Sequence, residues 1–135
     1  MKILVVDDDL MTRTLLEGVL SAYAQIQCCV DGKEAVDACQ SALDRGEPFD
    51  LICMDLLMPV MGGIEALRII RQEEEKRGRL RPHGAKVVIT TASDDGETIS
   101  QAFRESCDAY VVKPIDTEQL IDVVHCLFPI EELTA

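Results

Sequence analysis

Five short apolar segments punctuate this 135-residue chain, and four of them are apolar almost without interruption. Those four are Lys2–Val6, 50–54, Lys86–Thr91 and Ala109–Val112. A strand with one face in water alternates apolar and polar residues, whereas a strand buried on both faces has no polar side to show. Near-continuous runs of four to six residues therefore point to a parallel sheet covered on both faces. The remaining segment, 25–30, alternates in part, as an edge strand does.

Between the segments lie helical patterns. Leu16, Val19, Leu20 and Tyr23 are spaced i, i+3, i+4, i+7, as are Ala35, Ala38, Cys39 and Ala42, and Leu120, Val123, Val124 and Leu127. Ile64, Leu67 and Ile70 mark a third helix. A fourth, about 96–106, carries a thin stripe of Ile99, Ala102 and Phe103, which makes it the easiest to displace. The order is βαβαβαβαβα, and right-handed crossovers turn that order into a parallel sheet with helices on both sides. The length predicts a single domain over residues 1–135. In such sheets ligands bind just beyond the carboxyl ends of the strands.

Twenty-five acidic against thirteen basic residues leave a formal net charge of −12, the wrong sign for a nonspecific grip on nucleic acid or an anionic membrane. No apolar run approaches the roughly 18 residues of a membrane span. The N-terminus turns acidic too early for a signal peptide, so the expected location is the cytoplasm. Six cysteines without a Cys-x-x-Cys pair, and only two histidines, make poor material for zinc; they read as small buried thiols, all reduced.

Four strand ends carry chemically useful groups. Asp7, Asp8 and Asp9 follow the first strand, Asp55 ends the third, Thr90 and Thr91 the fourth, and Lys113 and Pro114 the fifth. Each has a plain reading alone. Asp9 is a natural helix N-cap, Thr91 an ordinary strand residue and Lys113 an ordinary surface lysine. Together they describe one crevice. Several carboxylates in a crevice repel one another, and a hard cation relieves that cost, Mg²⁺ first and Mn²⁺ as an alternative. A carboxylate beside such a cation can attack phosphorus and form an acyl phosphate. A lysine can neutralise phosphoryl charge, and a threonine hydroxyl can hydrogen-bond a phosphoryl oxygen.

Val5-Val6-Asp7-Asp8, Met54-Asp55-Leu56-Leu57-Met58-Pro59, Thr91-Ala92 and Tyr110-Val111-Val112-Lys113-Pro114 stand in an order and spacing that resemble the response-regulator receiver domains of two-component signalling. The resemblance covers essentially the whole chain and extends to the single-domain chemotaxis receivers. It implies a flavodoxin-like, doubly wound five-stranded parallel sheet of order 2-1-3-4-5 with five helices. It makes Asp55 the phosphoacceptor, Asp8 a direct metal ligand and Asp7 a water-bridged one, with the Leu57 backbone carbonyl completing the metal site. Thr91 becomes the switch hydroxyl, Tyr110 the switch aromatic and Lys113 the phosphate-binding lysine, whose bond to Pro114 is often cis in the family.

The sequence also departs from the family. Gly62-Gly63 stands where Asp-Gly is common, which predicts a more flexible loop, and Ser106 replaces a frequent glycine at the end of the fourth helix. Residues 73–86 form a longer stretch, with Lys76, Arg77, Arg79, Arg81 and Lys86, read as a charged loop or a docking feature.

The function expected is a phosphorylation-driven switch, not a classical enzyme, fed by a histidine kinase or a histidine phosphotransfer protein. The chain ends soon after the fifth helix, so output is expected through a protein docking on the fourth helix, fifth strand and fifth helix, around Ile99, Phe103, Tyr110 and Gln119, or through passing the phosphoryl group on in a relay. Two rivals share the scaffold. An aspartyl phosphatase commonly has a second Asp two residues after the nucleophile, where Leu57 stands here. A binding module that takes no phosphate leaves the set Asp7, Asp8, Asp55, Thr91 and Lys113 unexplained.

Overall fold

The computed structural model describes residues 1–79, 83–92 and 96–129. The elements run β1 (Lys2–Val6), α1 (Leu10–Leu20), β2 (Gln25–Cys29), α2 (Gly32–Asp44), β3 (Leu51–Asp55), α3 (Gly63–Lys76), β4 (Lys86–Thr91), α4 (Gly96–Arg104), β5 (Ala109–Val112) and α5 (Thr117–Leu127). All strand pairs are parallel, and the order is β2-β1-β3-β4-β5. The expected flavodoxin-like sheet and its five helices are thus present. Some boundaries differ. β3 spans Leu51–Asp55, one residue later than expected, β2 stops at Cys29, α4 ends at Arg104, and Tyr23 falls beyond α1 although it still packs on the core.

Alternation along each strand divides the interior in two. Ile3, Val5, Cys53, Val88 and Val111 face α1 and α5, meeting Leu16, Leu20, Leu120 and Val124. Leu4, Val6, Ile52, Met54, Val87 and Ile89 face the other way, meeting Ala35, Cys39, Leu67 and Ile70, with Ala102 the one buried residue of α4. Burying a Leu or Ile side chain fully contributes about 1.5–3 kcal/mol, so α4 is the helix held by the least apolar burial. β2, at the edge, buries only Cys29.

Helix starts are set by aspartates. Asp9, Asp31 and Asp116 have extended backbones and accept N–H bonds from Thr12, Glu34 and Gln119 at 3.2, 2.9 and 3.3 Å. Asp9 therefore fills the capping role read from the sequence.

At the amino end of β4 a buried ion network closes the sheet. Arg71 donates to the Ser106 carbonyl (3.1 and 2.8 Å), the Ala85 carbonyl (2.7 Å), Glu74 (2.8 Å) and Asp108 (3.2 Å). Glu74 and Asp108 also accept the Ala85 and Val87 N–H groups at 2.7 and 2.8 Å. Ser106 takes a left-handed backbone, φ 73°, at the turn after α4 where a glycine was expected.

The basic stretch after residue 73 is largely paired. Lys76 and Arg77 bond Glu73 and Asp44, and Arg79 donates to the His83 carbonyl; Arg81 lies outside the described residues. Four cysteines, 29, 39, 53 and 107, are buried as expected, whereas Cys28 and Cys126 are exposed. Burial pushes the thiols of Cys29, Cys39 and Cys53 up to about 12.

Candidate functional site

The acids converge because β1 and β3 are neighbours that end side by side. Val5 pairs with Cys53 and Val6 with Met54, so Asp7 and Asp55 leave the sheet together. Asp7 is fully buried, Asp55 is 7% exposed, and Asp8 stands in solvent. One carboxylate oxygen from each of the three lies within 4.8 Å of the others. Three carboxylates that close, one of them exposed, fit the hard oxygen donor set of a divalent cation.

Lys113 completes the cluster. Its N–H donates to the Thr91 carbonyl at 2.7 Å, which carries the β4–β5 ladder one residue further, and the Lys113–Pro114 peptide is cis. Its Nζ donates to Asp7 Oδ2 at 2.8 Å and lies 3.3 Å from Asp55 Oδ2. Burial raises the Asp55 carboxyl above the ordinary carboxylate range; Lys113 opposes the shift and the Asp7 charge adds to it. Burial works against the Lys113 ammonium, but its hydrogen bond to Asp7 and the charge of Asp55 outweigh it and hold the lysine above its usual value.

Thr91 closes β4 and is buried. Leu57 projects its side chain into solvent, while its backbone N–H bonds Asp55. Tyr110 sits apart from the acids. It pairs with Ile89, on the sheet face opposite Asp55, and its ring meets Phe103 of α4 edge-on at 6.1 Å. Asp9, although next in sequence, spends its carboxylate on Thr12, whose hydroxyl bond (2.7 Å) holds it below the usual range; it is absent from the converging set.

The glycine pair beside the site is tight, not loose. Gly63 N–H donates to the Leu56 carbonyl at 2.8 Å, and a Cβ on Gly63 would overlap the backbone carbonyl oxygen of Asp55. The start of α3 is thereby packed directly on the end of β3, which corrects the expectation of a flexible loop.

Sequence reading misses one residue of the site and gives another no role. Arg13 Nη1 donates to the Asp7 carbonyl at 2.7 Å, from a spacing of six that marks nothing in particular. Thr90 pairs with Asp55 across the sheet, a neighbour that only the register reveals.

Residues 3–125 match the family model for the response regulator receiver domain. The chain belongs to that family. This receiver domain is 31% identical over 135 residues to probable histidine kinase 2 of Oryza sativa subsp. indica, an alignment covering 93% of this chain and 12% of the kinase. It thus spans about an eighth of the length of that relative. Among solved structures it resembles the receiver domain of the histidine kinase CKI1 from Arabidopsis thaliana, complexed with Mg²⁺ and BeF₃⁻ (30% identity, TM-score 0.80, covering 93% of this chain and 88% of that one). It also resembles the co-crystal of the Saccharomyces cerevisiae histidine phosphotransfer protein Ypd1 with the receiver domain of Ssk1 (26% identity, TM-score 0.83, covering 98% and 92%).

Proposed function

We propose that this receiver domain, acting as one unit over residues 1–135, is the phosphorylation-driven switch of a two-component phosphorelay. The observation that carries the reading is the single ammonium of Lys113 set between Asp7 and Asp55 in a cluster of three carboxylates. A histidine kinase or a histidine phosphotransfer protein supplies the phosphoryl group. An Asp55 carboxylate oxygen attacks phosphorus, and the P–N bond of the donor phosphohistidine breaks. The electron pair leaves on the imidazole nitrogen, which takes up a proton, and Asp55 carries an acyl phosphate. Asp7, Asp8, Asp55 and the Leu57 carbonyl would hold Mg²⁺, or Mn²⁺ in its place, whose charge offsets theirs and that of the incoming group.

Lys113 then neutralises phosphoryl oxygens and Thr91 donates a hydrogen bond to one. Movement of Thr91 frees space for Tyr110, and weakly buried α4 shifts with it. The output face is α4, β5 and α5, where the Phe103–Tyr110 contact would change. Exposed Leu10, Met11, Leu57 and Val60 follow the acids in sequence and suit a protein donor at the site's mouth. The net charge of −12 favours protein partners over nucleic acid or membrane. No helix among the described residues is long and apolar enough to cross a membrane, and we place the protein in the cytoplasm. Beyond its own phosphoryl transfer and hydrolysis, no enzymatic turnover is expected.

Intact-mass measurement with acetyl phosphate tests this. The protein should gain one acid-stable, base-labile phosphoryl group, with Mg²⁺ or Mn²⁺ only, and Asp55→Asn should gain none. Equal labelling of both removes Asp55 from its role.

A further inference from the structure

Thr90 stands in the same cross-strand row as Asp55. Asp55 pairs with Thr90, and Thr90 with Val111, so the three side chains rise from one face of the sheet. That is the face covered by α1 and α5, to whose core Val88 and Val111 belong. Thr90 is 1% exposed, and among the described residues its hydroxyl has no hydrogen-bond partner. Burying a hydroxyl without a partner is unfavourable, and a valine would fill the same space without that cost. In this arrangement the hydroxyl brings a penalty and no return.

Lys113 reaches across the sheet toward β3 and β1. It continues β5 on the same alternation as Val111, and β4 lies between β5 and β3. Neighbouring strands are about 4.8 Å apart, so Lys113 starts roughly 10 Å from β3. Its Nζ nevertheless lies 3.3 Å from Asp55 and 2.8 Å from Asp7, so the stem crosses the carboxyl end of β4. The ammonium has three donors, and two are directed at these carboxylates. A phosphoryl group on Asp55 adds negative oxygens on the near side and draws the ammonium away from Asp7. Thr90 Oγ1 is a neutral oxygen in the same cross-strand row as Asp55.

We propose that Thr90 is a positioning residue, whose Oγ1 accepts a hydrogen bond from the Lys113 ammonium once it leaves Asp7 and so holds the lysine beside the phosphoryl group. The proposal rests on the reading of Asp55 as phosphoacceptor. It predicts opposite effects of one substitution on folding and on reaction.

Thr90→Val and Thr90→Ser are compared with wild type, with acetyl phosphate as donor and intact mass as readout. Thr90→Val should label about five- to tenfold more slowly, and Thr90→Ser within about twofold of wild type, because it keeps the hydroxyl. The urea midpoint of Thr90→Val should equal or exceed that of wild type. The Lys113 ¹³Cε resonance should differ between wild type and Thr90→Val after beryllofluoride and Mg²⁺ are added. A merely structural role would lower the midpoint and leave that difference absent. Labelling of Thr90→Val at the wild-type rate, equal slowing in Thr90→Ser, or an unchanged Lys113 resonance overturns the proposal. A wild type that takes no phosphoryl group overturns the phosphoacceptor reading itself, and this one with it.

Discussion

At the amino end of β4, Arg71 meets two carboxylates and two backbone carbonyls, and each of those carboxylates also accepts a backbone N–H. At the carboxyl end, three carboxylates converge and one lysine meets two of them, a nearby hydroxyl has no partner among the described residues, and burial lifts one acid's pKa. Both clusters sit on the same sheet, joined by the same strands. The first is closed within the chain and holds α3, β4 and the α4–β5 turn together. The second carries more carboxylates than its lysine bonds, which fits the proposed binding of a divalent cation. Charge is compensated within the chain at the amino end, and electrostatic cost is tolerated at the end where we propose that phosphorylation occurs.

The contrast breaks most directly at Arg71. Arg71→Ala leaves Glu74 and Asp108 buried without their cation, and should cost about 3–5 kcal/mol in urea unfolding. A loss under 1 kcal/mol would show that the amino-end network is not what holds the fold.

At the opposite end, the corresponding change should have the opposite sign and a smaller size. The folded-state pKa of Asp55 is raised, so its ionisation disfavours the folded state. That cost is complete above the folded pKa and disappears as pH falls below the ordinary carboxylate value of about 3.9. Asp55→Asn should therefore be more stable than wild type at pH 7, with the advantage fading toward pH 3. Urea midpoints across that range decide it, and a less stable variant at pH 7 would merge the two ends into one type of site.

The smallest effect is expected back at the amino end. Ser106 is left-handed, which costs an L-residue about 1–2 kcal/mol, of which glycine's chain entropy returns about 0.5–1. Ser106→Gly should gain roughly 0.5 kcal/mol by thermal melting, with phosphorylation unchanged.

These two ends were not equally legible in the amino-acid sequence. Asp7, Asp8, Asp55 and Lys113 stand directly after apolar runs, and a parallel sheet gathers such positions at one edge, so local pattern was enough. Arg71, Glu74 and Asp108 carry no such mark. Glu74 and Arg71 lie among helical charges that resemble any solvated face, and only the docking of α3 on β4 turns them inward. Thr90 was legible as a strand-end hydroxyl, but strand alternation names only its face, and only pairing with Asp55 names its neighbour. The Gly62-Gly63 loop misled because glycine suggests freedom, while here its missing side chain permits a backbone contact.

The buried thiols have a practical consequence. With pKa values of about 12, Cys29, Cys39 and Cys53 hold roughly one thiolate in 10⁵ at pH 7. Alkylating reagents should therefore stop at Cys126 and, more slowly, at Cys28, whose thiol is raised by burial and by Glu17. All six should react only in denaturant. One accessible sulfur lies on the edge strand and the other on α5. The native chain thus offers two chemically graded attachment points for fluorophores or spin labels. The one on α5 lies on an element of the proposed output face, and the one on β2 lies at the far edge of the sheet as an internal reference.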